Sequence, residues 1–290
     1  MLANLRERAR LPLMLLPSLA VVLILFSGGL ILGFMQSLGY LPAIGQYDLS
    51  FKAYRHVFAD PAFLRGLLLT CWLGFTTTIL SMILATVCAL VLRQRLRGKR
   101  IVSFIFQFNI PVPHILGAIA VLLLLSQSGL VSRFTHHLGL TEQTFDFPVL
   151  VNDKNGLGIM LEYLWKTIPF TGVILLAVLQ SVGDDYENLA RTLGANQWQR
   201  FRYVILPLIM PGLLRSSILV FAFAFGAFEV PFLLGQSFPL ALPVLAFEYY
   251  KNVDLGYRAE AMAISMVIAG LITLLILAYM KLTETFVRSD

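Results

Sequence analysis

Several long stretches without any Asp, Glu, Lys or Arg constrain this chain more than any other feature of its sequence. Residues 11–47, 66–92 and 101–132 contain none of these four residue types. A helix that crosses a bilayer needs about 20 apolar residues, so each stretch is long enough to span one. The composition agrees, because 58% of the residues are hydrophobic and only 13% are charged, whereas soluble domains carry about 25% charged residues. The sequence therefore predicts an integral membrane protein built from α-helices.

Further apolar windows complete a set of predicted spans in one transmembrane domain that covers residues 1–290. The fourth window is the shortest, and Trp165 and Lys166 near its start are residue types that anchor helices at lipid headgroups. The expected fold class is an all-α membrane protein with six transmembrane helices, near residues 13–35, 64–92, 102–126, 164–182, 214–235 and 259–281.

The distribution of positive charge predicts the orientation of these helices. Short loops that are rich in Lys and Arg face the cytoplasm, and residues 93–100 read Arg-Gln-Arg-Leu-Arg-Gly-Lys-Arg. With cytoplasmic N- and C-termini, the inner segments hold more than half of the 22 Lys and Arg residues, including Arg6, Arg8, Arg10, Arg191, Arg200, Arg202, Arg215, Lys281 and Arg288. The net charge of +6 thus reflects membrane topology and gives no support for nucleic-acid binding.

Three segments between the spans have structure of their own in this interpretation. In the outer segment 36–63, apolar side chains recur at helical spacing, which predicts a short interfacial helix; they are Phe51, Tyr54, Val57 and Phe58. The outer segment 127–163 is long enough to pack over the mouth of a helix bundle. The cytoplasmic segment 183–212 carries the most information.

Segment 183–212 is predicted to form two short helices joined at Gly194. Asp184 and Glu187 have the spacing of a capping box, and Gly194 is a typical residue to end the first helix. Its apolar side chains share one face; they are Tyr186, Leu189, Ala190 and Leu193.

The second helix of this segment is predicted to begin at Asn196, which has Gln199 at the spacing of another capping box. We expect it to stop at Pro207, with Pro211 and Gly212 turning the chain into the fifth span. On spacing alone, the helix pair is equally suited to docking in a groove of another protein and to capping its own bundle.

The same segment resembles the EAA loop of the membrane permeases of binding-protein-dependent ABC importers. The family pattern has Glu-Ala-Ala, three residues, Gly, nine residues, and then Ile-x-Leu-Pro. Here Asn188-Leu189-Ala190 precedes Gly194, and Val204-Ile205-Leu206-Pro207 follows at the family spacing. The chain departs from the pattern at Asn188 and Leu189, and Glu187 lies one residue early.

The resemblance implies a type I ABC importer permease in a bacterial cytoplasmic (inner) membrane. Its implied partners are a cytoplasmic ABC ATPase dimer, a second permease subunit and an extracytoplasmic solute-binding protein. No cofactor is implied for this chain itself, since ATP and Mg²⁺ would bind the ATPase and the chain lacks a phosphate-binding Gly-x-x-x-x-Gly-Lys-Ser/Thr stretch. The coupling role falls on Glu187, Leu189, Ala190, Arg191, Leu193, Gly194 and Ala195.

Within this family the chain is most similar to the spermidine/putrescine-type permeases. The similarity lies in Phe225-Gly226-Ala227-Phe228-Glu229-Val230-Pro231 and in Leu242-Pro243. Permeases for oxyanions, iron and aminophosphonates share parts of these motifs. A polyamine or another amino-bearing compound is the expected solute.

Glu229 is the acidic residue of the predicted fifth span. A carboxylate at the centre of a span costs about 2.5–3.5 kcal/mol on insertion scales, so it should face protein or water. Gly226 and Pro231 flank it and permit a kink. It either lines the path and contacts a cationic solute, or forms a structural hydrogen bond to a neighbouring helix or subunit.

Other residues of the predicted spans have two interpretations each. Asn109 and His114 bracket two prolines, where a broken helix could line the path or pack against other helices. Phe225 and Phe228 suit stacking on a solute, but equally suit contact with lipid. His136 and His137, adjacent but without a third ligand nearby, are expected to be solvated surface, as is His56.

Two other classes of membrane protein are consistent with six spans. An ion-coupled secondary transporter should place several ionisable groups at mid-depth in matched halves. A membrane-embedded enzyme should show clustered His or acidic ligands, and the sequence contains no Ser/His/Asp, Cys/His or paired-carboxylate set. We therefore expect a non-catalytic transport subunit.

Overall fold

The computed structural model describes residues 2–94, 97–183 and 185–287, with side chains for 14–94, 97–183 and 185–281. Six helices in these ranges are long and apolar enough to cross a membrane. They agree with the predicted number of spans, although several of their boundaries differ. Among the residues used in the arguments above, Arg95, Asp184 and Arg288 lie outside the described residues, as do the side chains of Arg6, Arg8 and Arg10.

The described chain is almost entirely helical. Its α-helices in chain order are α1 (Leu2–Ser37), α2 (Lys52–Ala59), α3 (Pro61–Arg93), α4 (Lys99–Gln107), α5 (His114–Leu125), α6 (Leu130–His137), α7 (Leu157–Val182), α8 (Asp185–Thr192), α9 (Gln197–Arg200), α10 (Leu206–Gly226), α11 (Glu229–Leu234), α12 (Leu242–Tyr250) and α13 (Tyr257–Val287). A π-helical turn, Phe201–Ile205, joins α9 to α10. Short 3₁₀ turns lie at Pro42–Ile44 and Thr144–Asp146.

The chain divides into two compact units. Within the described ranges, residues 61–245 and 268–287 form the larger unit, and residues 2–60 and 246–267 form the smaller one.

The larger unit is built around α3 and α7. Small and hydroxyl-bearing residues occupy most of the buried positions of α3, so that other helices approach its backbone closely. At Gly74, for example, an added Cβ would lie 3.0 Å from the ring of Phe221. The hydroxyls of Thr70 and Thr78 donate to carbonyls one turn back in α3, which satisfies them without water.

Two apolar clusters fill the larger unit. One contains residues of α3, α5, α7, α10 and α11: Leu73, Ala118, Ile159, Met160, Tyr163, Ala224, Val230 and Leu234. The other lies nearer the segment after α7 and contains Ala85, Ala89, Leu175, Leu179, Ile205, Ile209 and Leu213. The second cluster holds the π-helical turn and the start of α10 against α3 and α7.

In the smaller unit, the short helix α2 confirms the predicted helix in segment 36–63. Its Val57 is buried, whereas Phe58 is exposed. Tyr54 and Ser37 share a hydrogen bond of 2.8 Å. Tyr249 donates its phenol proton to the carboxylate of Asp60. Burial first, and then this hydrogen bond, raise the pKa of Tyr249 well above its usual value, so the phenol stays a neutral donor.

The predicted third span, 102–126, is not one continuous helix. The structure has α4, a non-helical break at residues 108–113, and α5. Pro111 and Pro113 explain the break, because neither has a backbone N–H to donate and each disfavours helical geometry in the preceding residue. This break is the feature that positions the buried polar groups described below.

Pro207 and Pro211 do not end a helix, so the predicted stop and turn at these residues are wrong. The chain is helical from Gln197 to Gly226, and both prolines lie within that run. The N–H of Leu206 bonds to the carbonyl of Phe201, five residues back. This wider turn lies directly before Pro207 and reduces the clash between the proline ring and the preceding turn.

The predicted fifth span, 214–235, is also interrupted. Helix α10 ends at Gly226, Ala227 adopts an extended conformation, and α11 begins at Glu229. The kink expected from Gly226 and Pro231 is therefore a complete break in the helix.

Candidate coupling helix and transport path

The first helix of the predicted coupling segment is α8, and it ends as expected at Gly194. Gly194 has φ of 85°, in the left-handed region that favours glycine. Its N–H bonds to the carbonyl of Arg191, and the N–H of Ala195 bonds to the carbonyl of Ala190, each at 3.0 Å. No atom beyond its neighbours lies within 4 Å of an added Cβ at Gly194. The requirement for glycine is thus one of backbone conformation and not of space.

The α8 helix is strongly amphipathic. Tyr186, Leu189 and Leu193 lie on one face at helical spacing, and Leu193 exposes 81% of its surface. Glu187, Asn188 and Arg191 lie on the opposite face and line a polar pocket. The apolar face contributes nothing to the core of its own unit, which is the arrangement expected of a helix that docks on another subunit.

Glu187 attaches α8 to the neighbouring elements. Its carboxylate accepts a hydrogen bond of 2.9 Å from Arg93, the last residue of α3. Its other oxygen lies 3.6 Å from Nε of Arg200 in α9. Arg93 also donates to the carbonyl of Gly183 at 3.1 Å. Glu187 therefore holds the coupling helix on the bundle, while Leu189 and Leu193 face away.

The second helix of the segment begins with the predicted capping box. The side chain of Asn196 accepts from the N–H of Gln199, and the side chain of Gln199 accepts from the N–H of Asn196. Ala190 and Ala195 are half-buried where the two helices meet. The predicted coupling residues thus divide into an exposed apolar face, a tight turn and an anchoring ion pair.

A second group of polar residues lies inside the larger unit, at the break between α4 and α5. The ammonium of Lys166 donates to the carbonyls of Asn109, Ile110 and Val112, at 2.7 and 3.0 Å for the first two. The prolines of the break remove backbone N–H donors, and Lys166 supplies the missing ones. Because Lys166 is only 7% exposed and lies within α7, the headgroup-anchoring role predicted for it is wrong.

Glu162, one turn before Lys166, is completely buried. Its carboxylate lies 3.0 Å from Nδ1 of His114, the first residue of α5. The imidazole of His114 stacks on the ring of Phe223 with centroids 4.3 Å apart. Gly117 makes room for Glu162, since a Cβ there would lie 2.8 Å from the carboxylate oxygen.

An open pocket of about 310 Å³ adjoins this group. His114, Lys166 and Thr167 contribute its polar atoms, and Phe170 and Phe223 contribute aromatic surface. The three ammonium protons of Lys166 are taken by carbonyls, and the Thr167 hydroxyl donates to the carbonyl of Tyr163 at 2.8 Å, so the pocket presents chiefly His114 to a visiting molecule.

The structure separates the residues predicted to line the path. Glu229 is exposed at the start of α11, and its carboxylate has no hydrogen bond or ion pair to any described residue. Phe228 stacks on Phe232 at 5.0 Å, and Phe225 is buried against Phe221. Phe225 therefore packs the bundle in this conformation, while Glu229 is exposed and Phe228 is half-buried.

Asn109 is 2% exposed and donates its amide to the carbonyl of Trp165. It therefore fixes the break in place together with Lys166. Sequence reasoning singled out Asn109 and His114, missed Glu162 and assigned Lys166 the wrong role. Their spacing of four residues inside an apolar helix was the available signal, because charged groups within spans are expensive unless they are paired.

The predicted outer side of the smaller unit holds an open pocket of about 580 Å³. Its acidic residues are Asp48, Asp254 and Glu260, and His56 lies 3.1 Å from Glu260.

His136 lies 2.9 Å from the carbonyl of Thr141 and is exposed. Within the described ranges, no three His, Cys, Asp or Glu residues are grouped as a metal site requires.

Six apolar helices, an amphipathic coupling segment and interrupted helices with buried polar groups together define a membrane transport subunit. The pattern of the family described as "Binding-protein-dependent transport system inner membrane component" matches residues 11–288. The chain belongs to this family. It is a non-catalytic permease subunit of an ABC importer in the inner membrane, and ATP is hydrolysed by the partner ATPase.

Individual relatives support this assignment over most of the chain. A trehalose/maltose transport system permease, MalF of Thermococcus litoralis, is 28% identical over 279 residues, which cover 93% of this chain and 92% of that protein. The inner membrane ABC transporter permease YdcU of Escherichia coli K12 is 31% identical over 247 residues, or 82% and 77% of the two chains.

A solved structure shows the same fold. It is that of a bacterial alginate ABC transporter in complex with an alginate pentasaccharide-bound periplasmic protein. One of its chains superimposes with a TM-score of 0.79 at 18% identity, covering 96% of this chain and 95% of that chain. The expected type I importer fold is confirmed, and so are a binding protein, an ATPase and a second permease as the partners of this subunit.

Proposed function

We propose that this chain forms half of the solute path of its importer and receives the motion of the ATPase through the apolar face of α8. The observation that carries the proposal is the division of α8 into two faces. Leu189 and Leu193 are exposed on one face, whereas Glu187 on the other face pairs with Arg93 and Arg200. Burial of such a face in a partner supplies affinity, and the ion pairs of Glu187 transmit the displacement to α3 and α9.

For the solute, we propose an amino-bearing compound such as a polyamine. Glu229 supports this choice, because its carboxylate has no partner among the described residues and lies beside a break in the helix. An exposed carboxylate just after the fifth candidate span, which ends at Gly226, must meet water, a partner subunit or a cationic solute in the assembled importer. An ammonium group is the complementary ligand.

A hydroxylated solute is the second candidate. The pocket beside His114 combines hydrogen-bonding groups with the aromatic faces of Phe170 and Phe223. Such surfaces suit carbohydrates, and two of the similar proteins are named for trehalose/maltose and alginate transport. This candidate places the solute at the α4–α5 break instead of at Glu229.

Competition for uptake separates the two candidates. The importer would be reconstituted in proteoliposomes with its ATPase, second permease and binding protein, and ATP-driven uptake of labelled putrescine measured. Excess spermidine should inhibit that uptake, whereas maltose or sulfate should not. Uptake of labelled maltose that spermidine does not inhibit, with no uptake of putrescine, would reject the amino-bearing solute in favour of the second candidate.

A substitution at Glu229 tests the role of its charge. Glu229→Gln keeps the size and hydrogen-bonding groups of the side chain but removes the negative charge. We expect putrescine uptake to fall about tenfold, since one charge-assisted contact contributes about 1.4 kcal/mol or more. The amounts of assembled complex should not change. Normal uptake by Glu229→Gln, together with poor assembly of Glu229→Leu, would show a structural role instead.

A further inference from the structure

A polar pocket of about 480 Å³ lies behind the coupling helix, on the side opposite its exposed apolar face. Residues from the end of α3, from α8 and from segment 197–205 line it. They are Leu90, Arg93, Gln94, Glu187, Asn188, Arg191, Gln197, Arg200, Phe201 and Ile205. The pocket is separate from both the α4–α5 break and the docking face of α8.

The charges around this pocket favour an anion. Arg93, Arg191 and Arg200 contribute guanidinium groups, and Glu187 is the acidic residue of the lining. The Glu187 carboxylate accepts a hydrogen bond from Arg93 at 2.9 Å. Its other oxygen lies 3.6 Å from Nε of Arg200, which is too far for a hydrogen bond. Arg191 donates to the neutral amide of Asn188. Arg191 thus has no ion pair with a described residue, and Arg200 has only the 3.6 Å contact with Glu187.

Arg200 also favours a bound anion, because its side chain is only 17% exposed. Its Nε is buried and makes no hydrogen bond to a described residue. Buried guanidinium groups are ordinarily paired and hydrogen-bonded, because desolvation of an unpaired charge is expensive. An oxyanion in the pocket would accept hydrogen bonds from Arg200 and Arg191.

The geometry of the pocket suits a phosphate group in particular. Guanidinium groups bind phosphate oxygens through paired, charge-assisted hydrogen bonds. The amides of Gln94 and Gln197 add further donors. Leu90, Phe201 and Ile205 supply an apolar side. Arg93 ends a predicted membrane span, which places the pocket at the predicted level of the inner-leaflet headgroups.

We propose that this pocket binds a phosphate group and that the bound phosphate stabilises the position of α8 against the ends of α3 and α9. An anionic lipid headgroup and a free phosphate ion offer the same chemistry. Because Arg93, Glu187 and Arg200 also form the attachment of the coupling helix, occupancy of the pocket tunes coupling between ATP hydrolysis and transport.

The test measures the thermal unfolding of the purified full-length chain in a neutral detergent. Dihexanoyl-phosphatidylglycerol is titrated in one series and inorganic phosphate in another, with ionic strength held constant by sodium chloride. A ligand that binds the folded state raises the Tm with increasing concentration. We expect at least one series to raise the Tm in a saturable manner. A response to the lipid alone identifies a headgroup as the source, and a response to phosphate alone identifies the free ion.

Variants connect the response to the pocket. Arg200→Gln and Arg191→Gln should each weaken the apparent affinity about tenfold, because each removes a charge-assisted hydrogen bond. Arg202→Gln is the matched control, since Arg202 is exposed in the same segment and does not line the pocket. Gln197→Glu keeps every arginine and adds a negative charge to the lining, so it should also weaken binding.

Three results would overturn the proposal. The first is a wild-type Tm that responds to neither ligand. The second is an equal loss of the response in Arg202→Gln, which would indicate general charge screening. The third is an unchanged response in Gln197→Glu and in whichever arginine variant folds. None of these results affects the assignment of the chain as an importer permease, which is tested by uptake.

Discussion

At the scale of single residues, the structure gives Lys166 and Glu162 roles that a hydropathy pattern does not reveal. Lys166 replaces the backbone donors that the prolines of the α4–α5 break remove. Glu162 is buried beside His114, which begins the next helix. The two residues therefore hold an irregular backbone segment inside a membrane bundle, where irregular backbone is tolerated only if its polar groups are satisfied.

Replacement of Lys166 by methionine should destabilise the folded chain. The methionine fills a similar volume but leaves the carbonyls of Asn109, Ile110 and Val112 without these hydrogen bonds. We expect a loss of about 1–3 kcal/mol, because the partly buried carbonyls of Ile110 and Val112 lose their hydrogen bonds, while the Asn109 carbonyl keeps that from the N–H of Val112. The measurement is thermal unfolding in detergent. Lys154→Met is the control, because Lys154 is an exposed lysine of the same unit. Equal Tm values for the two variants would contradict this role.

The residue scale is also where prediction from sequence was weakest. Glu229 was found because it stands alone in an apolar stretch, and its environment still depends on what the partner subunit contributes. Glu162 escaped notice because the fourth span was predicted to begin at residue 164. The structure begins that helix at Leu157. Only the contacts of His114 and the α4–α5 break, distant in sequence, make Glu162 and Lys166 acceptable at buried positions.

At the scale of elements, the sequence predicted helix ends correctly where they depend on interactions between neighbouring residues. The capping box at Asn196 and the stop at Gly194 depend on residues within one turn, and both were confirmed. The prolines at 207 and 211 were misread because tertiary packing decides their outcome. Ile205, Ile209 and Leu213 bury a helical stripe against α3 and α7, which favours a continuous helix despite the lost donors.

Substitutions at Gly194 should report backbone conformation more than bulk. With φ of 85° and open space around it, this position accepts Asn, which tolerates left-handed geometry, better than Val. The left-handed conformation costs about 1–2 kcal/mol for an ordinary L-residue and more for a β-branched one. We therefore expect Gly194→Val to reduce recovery of the ATPase in pull-down experiments several-fold more than Gly194→Asn. Equal recovery would show that the turn conformation does not position α8.

At the scale of the whole molecule, composition and charge-free stretches predicted the class and the number of spans correctly. The predicted orientation depends on the positive charges near the ends of the helices. The coupling assignment requires that α8 lies in the cytoplasm, because the ATPase is on that side. If the predicted orientation is wrong, the coupling assignment of α8 is wrong as well.

Cysteine labelling tests the predicted orientation. In a background without Cys71 and Cys88, single cysteines at Asn152 and Lys251 should react with a membrane-impermeant thiol reagent applied from outside. Both positions are exposed. A cysteine at Gln197, which is also exposed, should react only after the membrane is permeabilised. Labelling of position 197 in intact cells would reverse the topology and remove the coupling assignment.

The central claim is that the exposed apolar face of α8 couples this permease to its ATPase, and ATP-driven uptake tests it most directly. The variant carries Leu189→Asp and Leu193→Asp together, so that docking would bury carboxylates in an apolar contact at a cost of several kcal/mol. Thr192→Asp is the control, an exposed position of α8 outside the apolar face. In proteoliposomes containing the full set of subunits, we predict that uptake by the double variant falls at least about 30-fold, with membrane insertion intact and Thr192→Asp near normal. Uptake by the double variant at the rate of the wild type would contradict the account.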